Sequence, residues 1–261
     1  MKAFISAGFR YVNNVLEIFR LRLMRTDAPV RNFGLFFKHL KSLGFDIRTV
    51  IDVGIAFGTP PIYRAFPRAR YFLIEPVVEC RPVLEKLKQS LNAEYFLVAA
   101  GAENRDVMLN VHDDISGSSL FPQAEGKELD GESRLTPMRR LDSLLPQSLE
   151  HPVLLKIDTQ GAELEVLKGL GTRIVEIDVL IVETTTMPMR HGIPQFADIV
   201  RFCDDAGFAV YDVLEGHMRG LDGALAQIDL AFVRKDSALR SQLAFFNPDQ
   251  LALHLKATKK L

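Results

Sequence analysis

The 261-residue chain has no tryptophan and only two cysteines, and its 32 lysines and arginines are so nearly matched by 33 aspartates and glutamates that the formal net charge is −1. Each scarcity excludes something. Cys80 and Cys203 form no CxxC pair, so neither a disulfide framework nor a zinc ribbon is indicated, and a reducing, cytoplasmic setting is expected. The balanced charge offers no basic face for a nucleic acid. No apolar run approaches the ~18 residues of a membrane span. The H-E-x-x-H spacing of a metal site is missing, as is the G-x-G-x-x-G of a dinucleotide loop. Internal repeats are also missing.

What is present is alternation. Short apolar runs at 49–53, 70–75, 94–100, 153–158, 178–184, 208–213 and 228–234 are separated by amphipathic stretches such as VVECRPVLEKLKQSL and FADIVRFCDDAG. This pattern predicts a largely parallel sheet with helices on both faces. The last two runs are joined by the Gly-rich LEGHMRGLDGALAQ, which reads as the turn of an antiparallel hairpin closing the sheet. A further short strand is expected at 107–112, and the Gly/Pro-punctuated segment 116–137 reads as a long surface loop able to cover a substrate.

Three regions are expected: a helical extension over 1–45, a main domain over 46–236 and a helical tail over 237–261, with Asn247-Pro248 as a helix start. Within the first, MKAFISAGFRYVNNVLEIFRLRLMR has helical apolar spacing and an excess of arginine. It fits a helix packed on the main domain, a self-association helix, or one resting on a membrane surface.

The chemistry gathers where apolar runs end. The first ends as IDVGIAFGT, with Asp52, Gly54, Ala56 and Gly58 in the spacing D-x-G-x-A-x-G. Small residues after a strand allow a tight turn and close approach of a ligand to the backbone. Asp52 is placed to attract an ammonium while turn N–H groups meet a carboxylate. Glu75 ends the second run as LIEP, where an acid can accept both hydroxyls of a ribose. A nucleoside carrying an amino-acid group meets both needs, and S-adenosylmethionine is that molecule.

VIDVGIAFGT, LIEP, VAAG (98–101), GSSL (117–120), RRLDSLL (139–145), LLKIDTQGAELEVLKGL (154–170), VLIVET (179–184), GFAVYDV (207–213) and IDLAFVR (228–234) occur in order across most of the chain. In these the sequence resembles the FkbM family of S-adenosylmethionine-dependent methyltransferases, the Lys-Ile-Asp-x-Gln-Gly-Ala-Glu run being the most diagnostic. The resemblance implies a doubly wound, seven-stranded class I methyltransferase sheet. It also implies methyl transfer to a hydroxyl of a sugar, glycan or natural-product small molecule. Pro76 and Ala100, inside two of the matched motifs, complete the expected cofactor contacts. Where the family commonly reads D-V-G-A-N-x-G, Ile55 and Ala56 stand here, which removes one amide from the turn.

An alcohol is a poor nucleophile, so a base near the acceptor helps. Asp158, at the end of the fourth strand of the main pattern, is the first candidate for base or acceptor-orienting carboxylate, and Glu183, ending the fifth, is the second. His191 and His217, in the loops after strands five and six, offer bases of more suitable ordinary pKa. Glu163 reads as a helix-start acid with a structural role. Loops 116–137 and 187–195 are the expected acceptor walls. A hard divalent cation would need Asp158, Glu183 and a histidine to converge, and no metal ligand is assigned. Two rival readings are a non-catalytic cofactor-binding or scaffold subunit, favoured by the altered turn, and an NAD-dependent oxidoreductase.

Overall fold

The structure, a computed structural model, describes residues 31–258 and, N-terminal to them, Val12. The basic amphipathic stretch at the start of the chain otherwise lies outside the described residues. In chain order the helices and strands are α1 (Phe33–Ser42), β1 (Thr49–Val53), α2 (Pro60–Ala65), β2 (Arg70–Ile74), α3 (Arg81–Ser90), β3 (Asn92–Phe96), β4 (Ala99–Ala100), β5 (Arg105–Val111) and β6 (Glu132–Arg139). Then come α4 (Leu141–Leu144), β7 (Val153–Ile157), α5 (Glu163–Lys168), β8 (Val179–Thr185), α6 (Phe196–Asp205), β9 (Phe208–Met218), β10 (Leu225–Arg234) and α7 (Pro248–Thr258).

The main sheet has seven strands in the order β3-β2-β1-β7-β8-β10-β9. Its first five strands are mutually parallel. β10 runs antiparallel to both β8 and β9, so the terminal hairpin closes the sheet as the glycine-rich turn predicts. Parallel strands covered on both faces must be apolar throughout, and β1, β7 and β8 are buried at every position.

Two apolar layers flank the sheet. One face (Ile51, Phe72, Leu155, Leu180, Phe232) packs against Leu141, Val166, Leu167, Ile199 and Cys203 from α4, α5 and α6. The opposite face (Val50, Tyr71, Leu154, Ile181, Ala231) packs against Phe36, Phe37 and Leu40 of α1, Ile62 of α2 and Leu84 of α3. α1 starts cleanly because Asn32 Oδ1 accepts the Leu35 N–H at 2.8 Å. Both cysteines are free and buried. Among the described residues no helix is long and apolar enough to cross a membrane.

Two expectations need correction. The run 94–100 is not one strand: β3 stops at Phe96, and Ala99–Ala100 turns away to pair with Met138 and Arg139 in a separate three-stranded sheet, β4-β6-β5. The segment 116–137 is not loop throughout, because its last third is β6, antiparallel to β5. Only Thr136 and Met138 of β6 are buried. A strand with a mostly polar, solvated face carries too little apolar alternation to be read by hydrophobicity alone.

Candidate active site

At the C-terminal ends of the parallel strands lies a cavity of about 580 Å³, the place where open α/β sheets hold ligands and a size ordinary for a small-molecule site. Of the residues expected at the site, Gly54, Ala56, Gly58, Glu75, Pro76, Ala100, Asp158, Glu183 and His217 all line it.

The turn after β1 is shaped by close approach. Gly54 has φ +72°, and a Cβ there would stand 1.7 Å from the Asp158 carbonyl oxygen, so only glycine lets the two strand ends meet. Two residues on, Ala56 adopts φ +42°, a left-handed conformation that costs a residue with a Cβ about 1–2 kcal/mol. It is held there by Glu75, whose Oε2 accepts the Ala56 N–H and whose Oε1 accepts the Val77 N–H, each at 2.9 Å. Burial raises the Glu75 carboxyl above its ordinary pKa, and those two N–H donors oppose the shift. Glu75 thus organises the turn as well as facing the cavity. The Phe57 N–H has no hydrogen-bond partner among the described residues.

Asp52 is the exception among the expected residues. It was expected to meet an ammonium; unlike the others it is fully buried and does not line the cavity. One oxygen accepts from the Tyr63 hydroxyl at 2.9 Å. The other has no hydrogen-bond partner among the described residues and lies 3.9 Å from the Lys156 ammonium. Burial raises the Asp52 carboxyl, opposed by Lys156. Lys156 itself is pulled down by burial, but the charges of Asp158 and Asp52 outweigh this and leave it above its ordinary value.

Beside this buried pair sits a polar rim. Lys156 Nζ donates to Asp158 Oδ2 at 3.1 Å and to the Gly54 carbonyl at 3.3 Å. Gln160, also left-handed at φ +55°, spans two acids: its Nε2 donates to Asp158 Oδ1 at 3.0 Å and to Glu183 Oε2 at 2.9 Å. Gln227 Nε2 donates to the same Glu183 oxygen at 2.7 Å. Glu183 lies well above the ordinary carboxyl range, first because it is buried and then because Asp158, Glu163 and Asp229 are near. Asp229 stands directly across from Glu183 in the β8–β10 register. Burial, then the Asp158 charge, pushes its carboxyl up to about 7.

Glu163 does not line the cavity. Its Oε1 accepts from the Thr159 and Gly161 N–H groups and the Thr159 hydroxyl, at 2.9–3.0 Å, which fixes the turn that carries Gln160. His191 does not line the cavity either. Of the two expected acceptor walls, Ser116–Ser118 and Gln123 do reach it. Gly192, Ile193 and Pro194 instead line a second cavity of about 880 Å³ beside α5 and α6.

Gln160, Gln227, Asp229, His112 and Glu215 also face the site and were not expected. Asp229 had a readable signal, a lone acid inside the apolar strand I-D-L-A-F-V. Gln160 stood inside the most diagnostic run without a role of its own, and Gln227, His112 and Glu215 had no signal, since nothing distinguishes them from surface residues until the hairpin and β5 are placed. Among the described residues no three His, Cys, Asp or Glu side chains are grouped to hold a metal ion.

The sequence matches the methyltransferase FkbM domain over residues 52–210. The chain belongs to the FkbM methyltransferase family. Solved structures similar to it include precorrin-6y C5,15-methyltransferase from Geobacter metallireducens, at 16% identity and TM-score 0.42, covering 77% of this chain and 86% of that one. Another is magnesium protoporphyrin IX methyltransferase from Synechocystis with bound S-adenosylmethionine, at 13% identity and TM-score 0.43, covering 77% of each. A third is 1,6-didemethyltoxoflavin-N1-methyltransferase from Burkholderia thailandensis, at 12% identity and TM-score 0.39, covering 78% of this chain and 77% of that one. No curated protein matches.

The methyl donor of this family is S-adenosylmethionine, and the residues present fit it. Glu75 meets the cavity one step past β2, where a ribose acceptor belongs. The Gly54–Thr59 turn brings the unpartnered Phe57 N–H to the same wall, a donor of the kind a carboxylate requires.

Proposed function

We propose that this FkbM methyltransferase transfers a methyl group from S-adenosylmethionine to a hydroxyl of a sugar, glycan or natural-product small molecule, in the reducing, cytoplasmic setting expected from its free cysteines. The observation that carries the reading is the bridged pair of carboxylates, Asp158 and Glu183, beside the turn expected to hold the donor. When bound, S-adenosylmethionine supplies the electrophilic methyl carbon.

The chain's own residues have three tasks: to hold the acceptor oxygen in line, to exclude water and to take the hydroxyl proton. Both Asp158 oxygens already accept hydrogen bonds, from Lys156 and Gln160, which suits Asp158 to orienting the acceptor. Glu183 has one oxygen held by two amides and the other without a hydrogen bond among the described residues, which suits that free oxygen to accepting the proton. His217, which was expected in a loop but lies on β9 opposite Gln227 and lines the cavity, is the alternative proton acceptor. Pro76 and Ala100 are assigned to the adenosine side and Gly54, Ala56 and Gly58 to the amino-acid side.

The test is incubation with methyl-labelled donor and a panel of hydroxylated acceptors, with the product's methyl carbon assigned by NMR. An O-methyl product, made at least ~100-fold more slowly by Glu183→Gln, is the expected result. A methyl group found on nitrogen or carbon would overturn the O-methyl assignment. Donor binding without turnover on any acceptor would favour the non-catalytic reading that the altered turn keeps open.

A further inference from the structure

The part of the cavity farthest from the donor turn carries charge that the reaction above does not use. β10 lies three strands from β1 in the sheet order, so Asp229 stands about 14 Å from the first strand at the ordinary spacing of ~4.8 Å. That is too far to serve the amino-acid end of the donor. The Asp229 residue is only 9% exposed, and it lines the cavity. Among the described residues its carboxylate accepts no hydrogen bond and forms no ion pair. Buried carboxylates in native proteins are otherwise paired.

Among the described residues the cation that acts on Asp229 is Lys156, and it forms no hydrogen bond or ion pair with it. Lys156 is committed to Asp158, Asp52 and the Gly54 carbonyl. The groups facing Asp229 are Glu183 from β8, Lys156 and Asp158 from β7, and Glu215 and His217 from β9. Glu215 spends one oxygen on the Phe33 N–H at 3.2 Å, at the start of α1. Acid therefore exceeds base on this wall. A hydroxyl would give Asp229 one hydrogen bond and no charge, whereas an ammonium supplies three donors and cancels the excess.

We propose that the Asp229–Glu215 wall is a cation subsite that receives a protonated amino group of the acceptor. The hydroxylated acceptor is thus an amino-bearing small molecule, its ammonium on the β9–β10 side and its hydroxyl toward Glu183. This rests on the O-methyltransfer reading for the acceptor's second group, but the subsite itself does not. The same assignment gives binding a pH dependence. Asp229, with its carboxyl at about 7, ionises as pH rises from about 6 to about 8, so affinity for an ammonium rises over that interval.

The test uses the full chain saturated with S-adenosylhomocysteine and two isosteric probes, trans-4-aminocyclohexanol and trans-cyclohexane-1,4-diol. The amine stays charged throughout that pH range, as alkylamines do. Ligand-observed NMR titration should give the amine an affinity at least about tenfold above the diol near pH 8, as one charge-assisted hydrogen bond provides. The preference should shrink near pH 6. Asp229→Asn, which keeps the shape and removes the charge, should abolish both the preference and its pH dependence, and Glu215→Gln should reduce the preference. Equal binding of the two probes, or an amine preference unchanged in Asp229→Asn, would overturn the subsite. Failure of S-adenosylhomocysteine itself to bind would instead count against the methyltransferase reading, because the probe preference can still be measured on the unloaded chain.

Discussion

The two faces of the main sheet begin alike and end differently. On one face the strands stay apolar to their C-terminal ends, with Val53, Ile74, Ile157 and Val182 all buried. On the other, the apolar layer of Val50, Leu73, Leu154, Ile181 and Ala231 gives way, two residues further along each strand or at the hairpin's matching position, to Asp52, Glu75, Lys156, Glu183 and Asp229. Asp158 follows Lys156 on the same side. The first face is an apolar core whose strand ends, Val53 and Ile74, give the cavity an apolar wall without charge. The second is a core for two or three residues per strand and a site thereafter. Adjacent residues of one strand, such as Leu155 and Lys156, therefore do different work, and both are buried.

The largest effect should come from the charged face. Lys156→Met leaves Asp52 and Asp158 without their shared cation, and losing one partner of a buried pair costs about 3–5 kcal/mol. Urea unfolding should show the loss to be greater near pH 8 than near pH 5, because burial already raises the Asp52 carboxyl and loss of the Lys156 cation raises it further, so that it takes up a proton as pH falls. Next to it on the chain, Leu155→Ala should cost about 2–5 kcal/mol as a cavity in the apolar layer. That loss should be the same at both pH values. If the two variants shared one pH profile, the contrast between faces would be wrong.

Asp229→Asn should act with the opposite sign. Its folded-state carboxyl lies at about 7, above the ordinary 3.8, so between those values the folded chain holds a proton that the unfolded chain has released. Wild-type stability contributed by this group accordingly falls as pH rises through that window. The asparagine variant should be more stable than wild type near pH 8, by about 1–3 kcal/mol, and equal to it near pH 4, read as melting temperature against pH. The smallest effect belongs to the turn. Ala56→Gly relieves a left-handed alanine and should stabilise the chain by up to ~1 kcal/mol. A loss of stability there would show that the alanine side chain has a packing role.

Much of this fold could be read from the sequence, because the signals were redundant. Each main strand was a buried apolar run, and the hairpin was announced by a Gly-rich connection. The small sheet was missed because β6 buries two side chains out of eight residues and looks like loop. At the site, the glycine turn and the acids at strand ends were legible as breaks in apolar runs. Asp52 was expected at the site and lies buried off the cavity wall, because sequence spacing puts a residue at a strand end without saying which side of the cavity floor its carboxylate occupies. Gln160 stood inside the most diagnostic run, but its bridge between Asp158 and Glu183, and the contact of Gln227 with Glu183, exist only once the strands are in register.

The central claim is that the charged face holds the methyl donor. Calorimetric titration of the full chain with S-adenosylmethionine tests it most directly, comparing wild type with Glu75→Gln at the cavity and Lys168→Ala beside the second cavity. The account predicts saturable one-to-one binding, weakened by Glu75→Gln by about tenfold or more, and unchanged by Lys168→Ala. No binding by wild type, or binding that Lys168→Ala abolishes and Glu75→Gln leaves intact, would contradict it.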